Sequence, residues 1–194
     1  MPERLVSWSG PDPQRVESAY VRLGADSLVA HGASTAPEFV LSYALTTGPQ
    51  WVTSALDVDA RGVGWHRSLA LRHVDGTWTA QWYGDDVAGF ELPDLTGAID
   101  CDLGLCPLTN SMPVLRHRLI DAAQSGDRSS VEFTMVWVSV PDLAVHISLQ
   151  TYGAADPVDG GGAQITYASE RFATMLEFDA DGLIVNYPGL AYRR

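Results

Sequence analysis

Three Asp-x-Asp pairs, Asp57/Asp59, Asp100/Asp102 and Asp179/Asp181, are the residues whose types and spacing most readily suggest chemistry. On an extended strand that spacing sends both carboxylates to one face, where they could hold a metal ion or accept hydrogen bonds from sugar hydroxyls. For two of the pairs turn chemistry is a sufficient explanation, because aspartate commonly caps its own backbone. Asp57/Asp59 falls where a strand runs out into Arg61-Gly62, and Asp179/Asp181 leads into a hairpin turn. Leu183 also stands where a calcium loop would need a further oxygen ligand. Asp100/Asp102 differs, because it opens the run Asp100-Cys101-Asp102-Leu103-Gly104-Leu105-Cys106-Pro107-Leu108-Thr109-Asn110, in which short oxygen-bearing side chains are interleaved with apolar ones. Asp102, Thr109 and Asn110 could bond one another to pin a chain reversal. They could also form the polar end of an otherwise apolar cavity.

The other polar groups are less directive. His31, His66, His73, His117 and His146 show no His-Glu-x-x-His spacing, and no metal site or cofactor is predicted. There is no Gly-x-Ser-x-Gly elbow to select a nucleophile, so no catalytic residue is nominated. The basic residues are arginines throughout, which excludes Schiff-base and Walker-type lysine chemistry. Arg116-His117-Arg118 is the densest basic cluster. As a strand it would put Arg116 and Arg118 on one face, where they could hold a phosphate or carboxylate headgroup; the plain alternative is a solvated edge paired with the abundant acids. Cys101 and Cys106 lack Cys-x-x-Cys spacing and read as reduced, buried thiols. Trp78 and Trp82 share one strand face, as do Gln150 and Tyr152. Such aromatic faces fill cores by default and also line sugar and acyl-chain pockets.

These residues must be positioned mainly by strands, because apolar residues alternate with period two and long stretches of period 3.6 are scarce. In Val131-Glu132-Phe133-Thr134-Met135-Val136-Trp137 the odd positions are apolar and would share a face. Leu69–Val74 and Trp78–Trp82 flank Asp75-Gly76, a pair suited to the positive φ of a type I′ turn, and Met175–Phe178 and Leu183–Tyr187 flank Asp181-Gly182 in the same way. Further strands are predicted near 15–24, 26–34, 38–47, 50–59, 97–102, 142–152 and 163–169. Val114–Ala123 reads as a weak helix or another strand, ended by Ser125-Gly126-Asp127. Asp156–Gly162 reads as a flexible loop whose glycines lack the helix a phosphate-binding loop requires. So many short strands predict a mainly β single domain spanning 1–194, a curved antiparallel sheet forming a barrel or half-barrel with little helix.

Composition bounds the partners. The chain has 194 residues, with 24 acidic and 12 basic side chains for a net charge of −12. At this length one core can bury roughly 70% of the unfolded surface without disulfides or metal. The carboxylate excess argues against nucleic acid and anionic membranes. No run approaches the ~18 apolar residues that would span a bilayer. The beginning of the sequence lacks the order of a secretory signal, so a cytoplasmic protein is expected.

The segments Asp100–Pro113, then Pro141, Gln150-Thr151-Tyr152, and Asp179–Leu190 resemble the putative glycolipid-binding family of bacterial proteins, with order and spacing kept over about residues 38–194. The resemblance implies a curved antiparallel sheet similar to bacterial lipoprotein-localisation carriers, with an apolar interior for a lipid or glycolipid. Carried over by position, the family's polar motif falls on Asp102, Thr109, Asn110, Gln150, Tyr152, Tyr187 and Pro188. With Arg116 and Arg118 these residues form the expected ligand site of a non-enzymatic protein that binds a glycolipid or another amphipathic molecule. Two alternatives stand beside it: an enzyme using Asp102 with Asp100 or Asp181 as acid and base, and a structural domain whose apolar faces pair in a homodimer.

Overall fold

The period-two alternation is realised as one continuous ladder. The computed structural model describes residues 3–170 and 172–194. The strands run β1 Glu3–Pro11, β2 Gln14–Leu23, β3 Leu28–Thr35, β4 Val40–Thr47, β5 Thr53–Gly62, β6 Trp65–Val74, β7 Thr77–Gly84, β8 Asp100–Leu103, β9 Ser130–Val138, β10 Val145–Val158, β11 Gly162–Ser169, β12 Phe172–Phe178, β13 Ile184–Tyr187 and β14 Ala191–Arg193. Their order across the sheet is β7-β6-β5-β4-β3-β2-β1-β14-β13-β12-β11-β10-β9-β8. Two meanders, β1 to β7 and β9 to β14, are joined where the first strand pairs with the last, Trp8 opposite Arg193 and Ser9 opposite Tyr192. The Trp8 indole, 1% exposed, fastens this seam by donating to the Ile184 carbonyl at 2.8 Å. The β8/β9 pair is parallel.

The strands turn one set of alternate side chains inward. β2 buries Arg15, Glu17, Ala19 and Val21, and further along the sheet β4 adds Leu41, Tyr43 and Leu45 and β5 adds Leu56, Val58 and Ala60. Gly32 stands directly opposite Tyr43, and a Cβ built there would lie 2.2 Å from the Tyr43 ring. The missing side chain is what lets the tyrosine lie across β3. The Asp75-Gly76 hairpin has the expected conformation, with φ of 48° and 76°. The Asp181-Gly182 turn does not match it: Gly182 alone has positive φ, 79°, and the Asp179 carboxylate accepts the Asp181 and Leu183 amides at 3.0 Å each.

The sheet is curled but open, which decides between the barrel and half-barrel expected from the sequence. β7 and β8 are its two ends. β8 approaches the start of β5, where Thr53 N donates to Ile99 O at 3.0 Å and Cys101 N to Thr53 Oγ1 at 3.1 Å, without building a ladder. The segment read as a weak helix or strand is two short helices, α1 Ser111–Arg116 and α2 Leu119–Ser125, broken where Arg118 takes left-handed φ/ψ of 51° and 40°. α2 lays Leu119, Ile120 and Ala123 against β10 and β11, and Gly126 caps it. The predicted 156–162 loop is shorter, because β10 continues through a bulge to Val158 and leaves only 159–161 as the turn. β1 and β14 were not among the predicted strands; β1 pairs along its whole length with β2, and β14 pairs with the end of β1 and with β13.

Candidate ligand cleft

β8 brings Asp100 and Asp102 into the core beside β9, and the chain then folds back through a short 3-10 turn, Pro107–Asn110, into α1. This chain reversal is pinned by Thr109. Its hydroxyl lies 2.9 Å from Asp102 Oδ1 and 3.0 Å from the Cys106 carbonyl, and it accepts the Leu103 amide at 3.2 Å. On β10, Gln150 and Tyr152 point to the same side. The Gln150 amide donates to Asp102 Oδ2 at 2.7 Å, and the Tyr152 hydroxyl stands 3.0 Å from Gln150 Oε1 and 3.1 Å from Asn110 Oδ1. Thr109 ties down the reversal and holds Asp102, and Asn110 meets the Tyr152 hydroxyl that also contacts Gln150, so that Asp102 and Gln150 are fixed at the floor of a cleft.

That cleft has a volume of about 570 Å³. Asp102, Gln150 and Ser148 supply its polar floor; Trp137, Ile147, Tyr167, Phe172, Tyr187 and Leu190 supply most of its wall; His146, Ser169, Glu170, Pro188 and Gly189 complete it. The Tyr167, Phe172 and Tyr187 rings form a continuous aromatic surface with centroids 5.9 to 6.2 Å apart. Tyr152 packs behind Tyr167 at 5.1 Å and is fully buried. Burial pushes the phenol of Tyr167 up to about 12 and raises those of Tyr152 and Tyr187 as well, so these hydroxyls remain protonated and neutral. Burial also raises the Asp102 pKa, opposed by the hydrogen bonds from Gln150 and Thr109.

Of the residues expected at a ligand site, Asp102, Gln150, Tyr187 and Pro188 line the cleft, while Thr109, Asn110 and Tyr152 stand behind it as supports. Arg116 and Arg118 do not converge there, which corrects the strand-based clamp. With the segment helical and broken at Arg118, the two side chains part. Arg116 makes two 2.5 Å bonds to fully buried Asp100 and a third, 2.6 Å, to the Gln50 carbonyl; Arg118 is exposed and pairs with Asp121 at 2.8 Å. Nor does the cleft assemble the acid and base pair, because Asp100 is engaged by Arg116 and Asp181 lies on an exposed turn bonded to Arg4. Asp57 and Asp59 sit within β5 rather than at its end, pairing with Arg72, and with Arg61 and His66. Cys101 and Cys106 are buried and unbridged. Trp78 and Trp82 are held by carbonyls of Ala98 and Leu143, away from the cleft.

The wall residues Trp137, Tyr167 and Phe172 were not picked out by sequence reasoning. Strand parity predicts that Trp137 and Tyr167 face inward, but only the order of strands in the sheet shows that both, opposite His146 and Tyr152 on either side of β10, line one cleft.

The sequence matches the family model described as Putative glycolipid-binding over residues 5–193. Among solved structures, a DUF1089 family protein from Pseudomonas aeruginosa superposes with a TM-score of 0.66 and 24% identity, covering 92% of each chain, which establishes a shared fold. No curated protein matches the sequence.

Proposed function

The chain belongs to the Putative glycolipid-binding family, and from that premise we propose that it binds an amphipathic molecule, a glycolipid or a related lipid, in the cleft above Asp102. The observation that carries this reading is the division of the cleft into a pinned polar floor and an aromatic wall. A hydroxylated headgroup would meet Asp102 and Gln150, whose orientations are already set by Thr109 and Tyr152. An aliphatic segment would lie along Tyr167, Phe172 and Tyr187. A cleft of about 570 Å³ falls within the roughly 300–1,000 Å³ usual for small-molecule sites. It suits a headgroup and the adjoining part of a chain, with the remainder of a long lipid outside.

Isothermal titration with octyl β-glucoside below its micelle concentration tests this reading. Binding is expected for octyl glucoside and absent for glucose. It should be abolished by Ser169→Trp, which fills the mouth of the cleft, while far-UV circular dichroism stays unchanged. Undiminished binding to the filled variant would contradict the assignment.

A further inference from the structure

Three carboxylates are buried among the described residues: Glu17, Asp100 and Asp102, at 2%, 0% and 8% exposure. The fold treats them differently. Asp100 receives two bonds from the Arg116 guanidinium. Glu17 accepts the Tyr43 hydroxyl at 3.0 Å and the Cys106 thiol at 3.1 Å, and lies in the field of buried Arg15. Asp102 is only two residues from Asp100 on the same strand, yet among the described residues its oxygens receive only neutral donors, Gln150 and Thr109. It is also the one of the three that opens on the cleft. Removing a carboxylate from water without a nearby cation is costly, and neutral hydrogen bonds offset only part of that cost.

What borders Asp102 on its open side completes the pattern. The aromatic wall of Tyr167, Phe172 and Tyr187 offers π faces, which attract cations and do not favour anions. Among the described residues no arginine lines the cleft; His146 stands at its rim against Trp137, with centroids 5.4 Å apart. The net charge of −12 draws cations toward the molecule as a whole. We infer that the headgroup accepted by this cleft carries an ammonium or quaternary ammonium group, which supplies a counter-charge that none of the described residues gives Asp102. An aminated sugar on a lipid and a choline-type or simple amine head share this chemistry. The inference rests on the amphiphile reading of the cleft and specifies its ligand class.

The test holds the chain constant and varies the head: octyltrimethylammonium, octylammonium, octyl 2-amino-2-deoxyglucoside, octyl glucoside and octyl sulfate are titrated against the intact protein. The ammonium heads are expected to bind about tenfold or more tighter than octyl glucoside, as for one desolvated charge contact beside aromatic faces, and octyl sulfate weakest. The aminoglucoside against the simple ammonium heads separates the two sources. Asp102→Asn should remove the preference, and Phe172→Ala, at a half-exposed position, should weaken the trimethylammonium ligand without depending on how the core tolerates the first change. Ser169→Trp, which leaves the surface charge intact, should abolish cation binding; persistence there would mean adhesion to the acidic surface and overturn the inference. If octyl glucoside binds in the cleft as tightly as the cations, the charge inference fails and the amphiphile reading stands. If no octyl compound binds, both fail.

Discussion

Glu17 shows what burial does to a single side chain. Enclosed by Tyr43 and Cys106, its carboxyl is pushed up to about 7 by desolvation. In the unfolded chain the same group ionises near pH 4.5, its unperturbed value. A folded pKa above the unfolded one means the native state holds the proton more tightly. The contribution to stability is therefore complete below the unfolded value and is lost as pH rises through about 7. The unfolding free energy from urea denaturation is expected to fall across that window by up to ~3 kcal/mol, and Glu17→Gln should flatten the difference. A slope unchanged by the substitution would contradict this assignment. The Arg116 and Asp100 pair makes a second case. Arg116→Met strands a fully buried carboxylate and should cost about 3–5 kcal/mol in chemical denaturation, whereas pairing it with Asp100→Leu should recover most of the loss. Legibility at this scale was uneven. Asp102, Gln150 and Tyr187 could be named from residue type and family resemblance, but the destination of Arg116 could not, because its partner depends on a helix break that no local residue pattern announces.

Single strands and turns were more transparent than their partners. Asp75-Gly76 declares its turn because both residues tolerate positive φ. The parity of 131–137 declares its inward face. Gly32 did not declare its role, since a glycine inside a strand signals a close approach without saying by what. The answer, the Tyr43 ring, comes from the opposite strand. Gly32→Ala must displace that ring from Glu17 and is expected to lower stability by about 1–3 kcal/mol in thermal melts. At Gly76 open space surrounds the missing Cβ, so Gly76→Ala should cost only the roughly 1–2 kcal/mol of the left-handed backbone. β14 is not legible in the sequence because three residues, Ala191–Arg193, carry no periodicity; they become a strand only where they pair with β13 and with Trp8 and Ser9 of β1.

At the scale of the molecule, curvature could be predicted and closure could not. Many short strands force a sheet to curl, but whether its ends meet is set by which strands form the ends, and the parallel β8/β9 pair leaves β7 and β8 unjoined. The seam between β1 and β14 unites the two meanders, and deletion of residues 188–194 should abolish cooperative unfolding rather than trim an end. A sharp, single melting transition in the truncated chain would contradict that expectation. The curl also separates two surfaces of similar volume. One is the cleft above Asp102; the other is a trough of about 730 Å³ on the outer face of β2 to β7, bordered by Tyr20 and Tyr83. The trough is larger, but its carboxylates Asp57 and Asp59 already have cationic partners in Arg72 and Arg61. The cleft has the pinned polar floor and the aromatic wall, and the central claim is that guests enter there.

Chemical-shift mapping by NMR during titration with octyl glucoside tests that claim most directly. The account predicts the largest changes at Ser169, Phe172, Tyr187 and the Gln150 side-chain amide, with Tyr20 and Tyr83 unmoved. Changes concentrated on the outer trough, or no changes at saturating ligand, would contradict it.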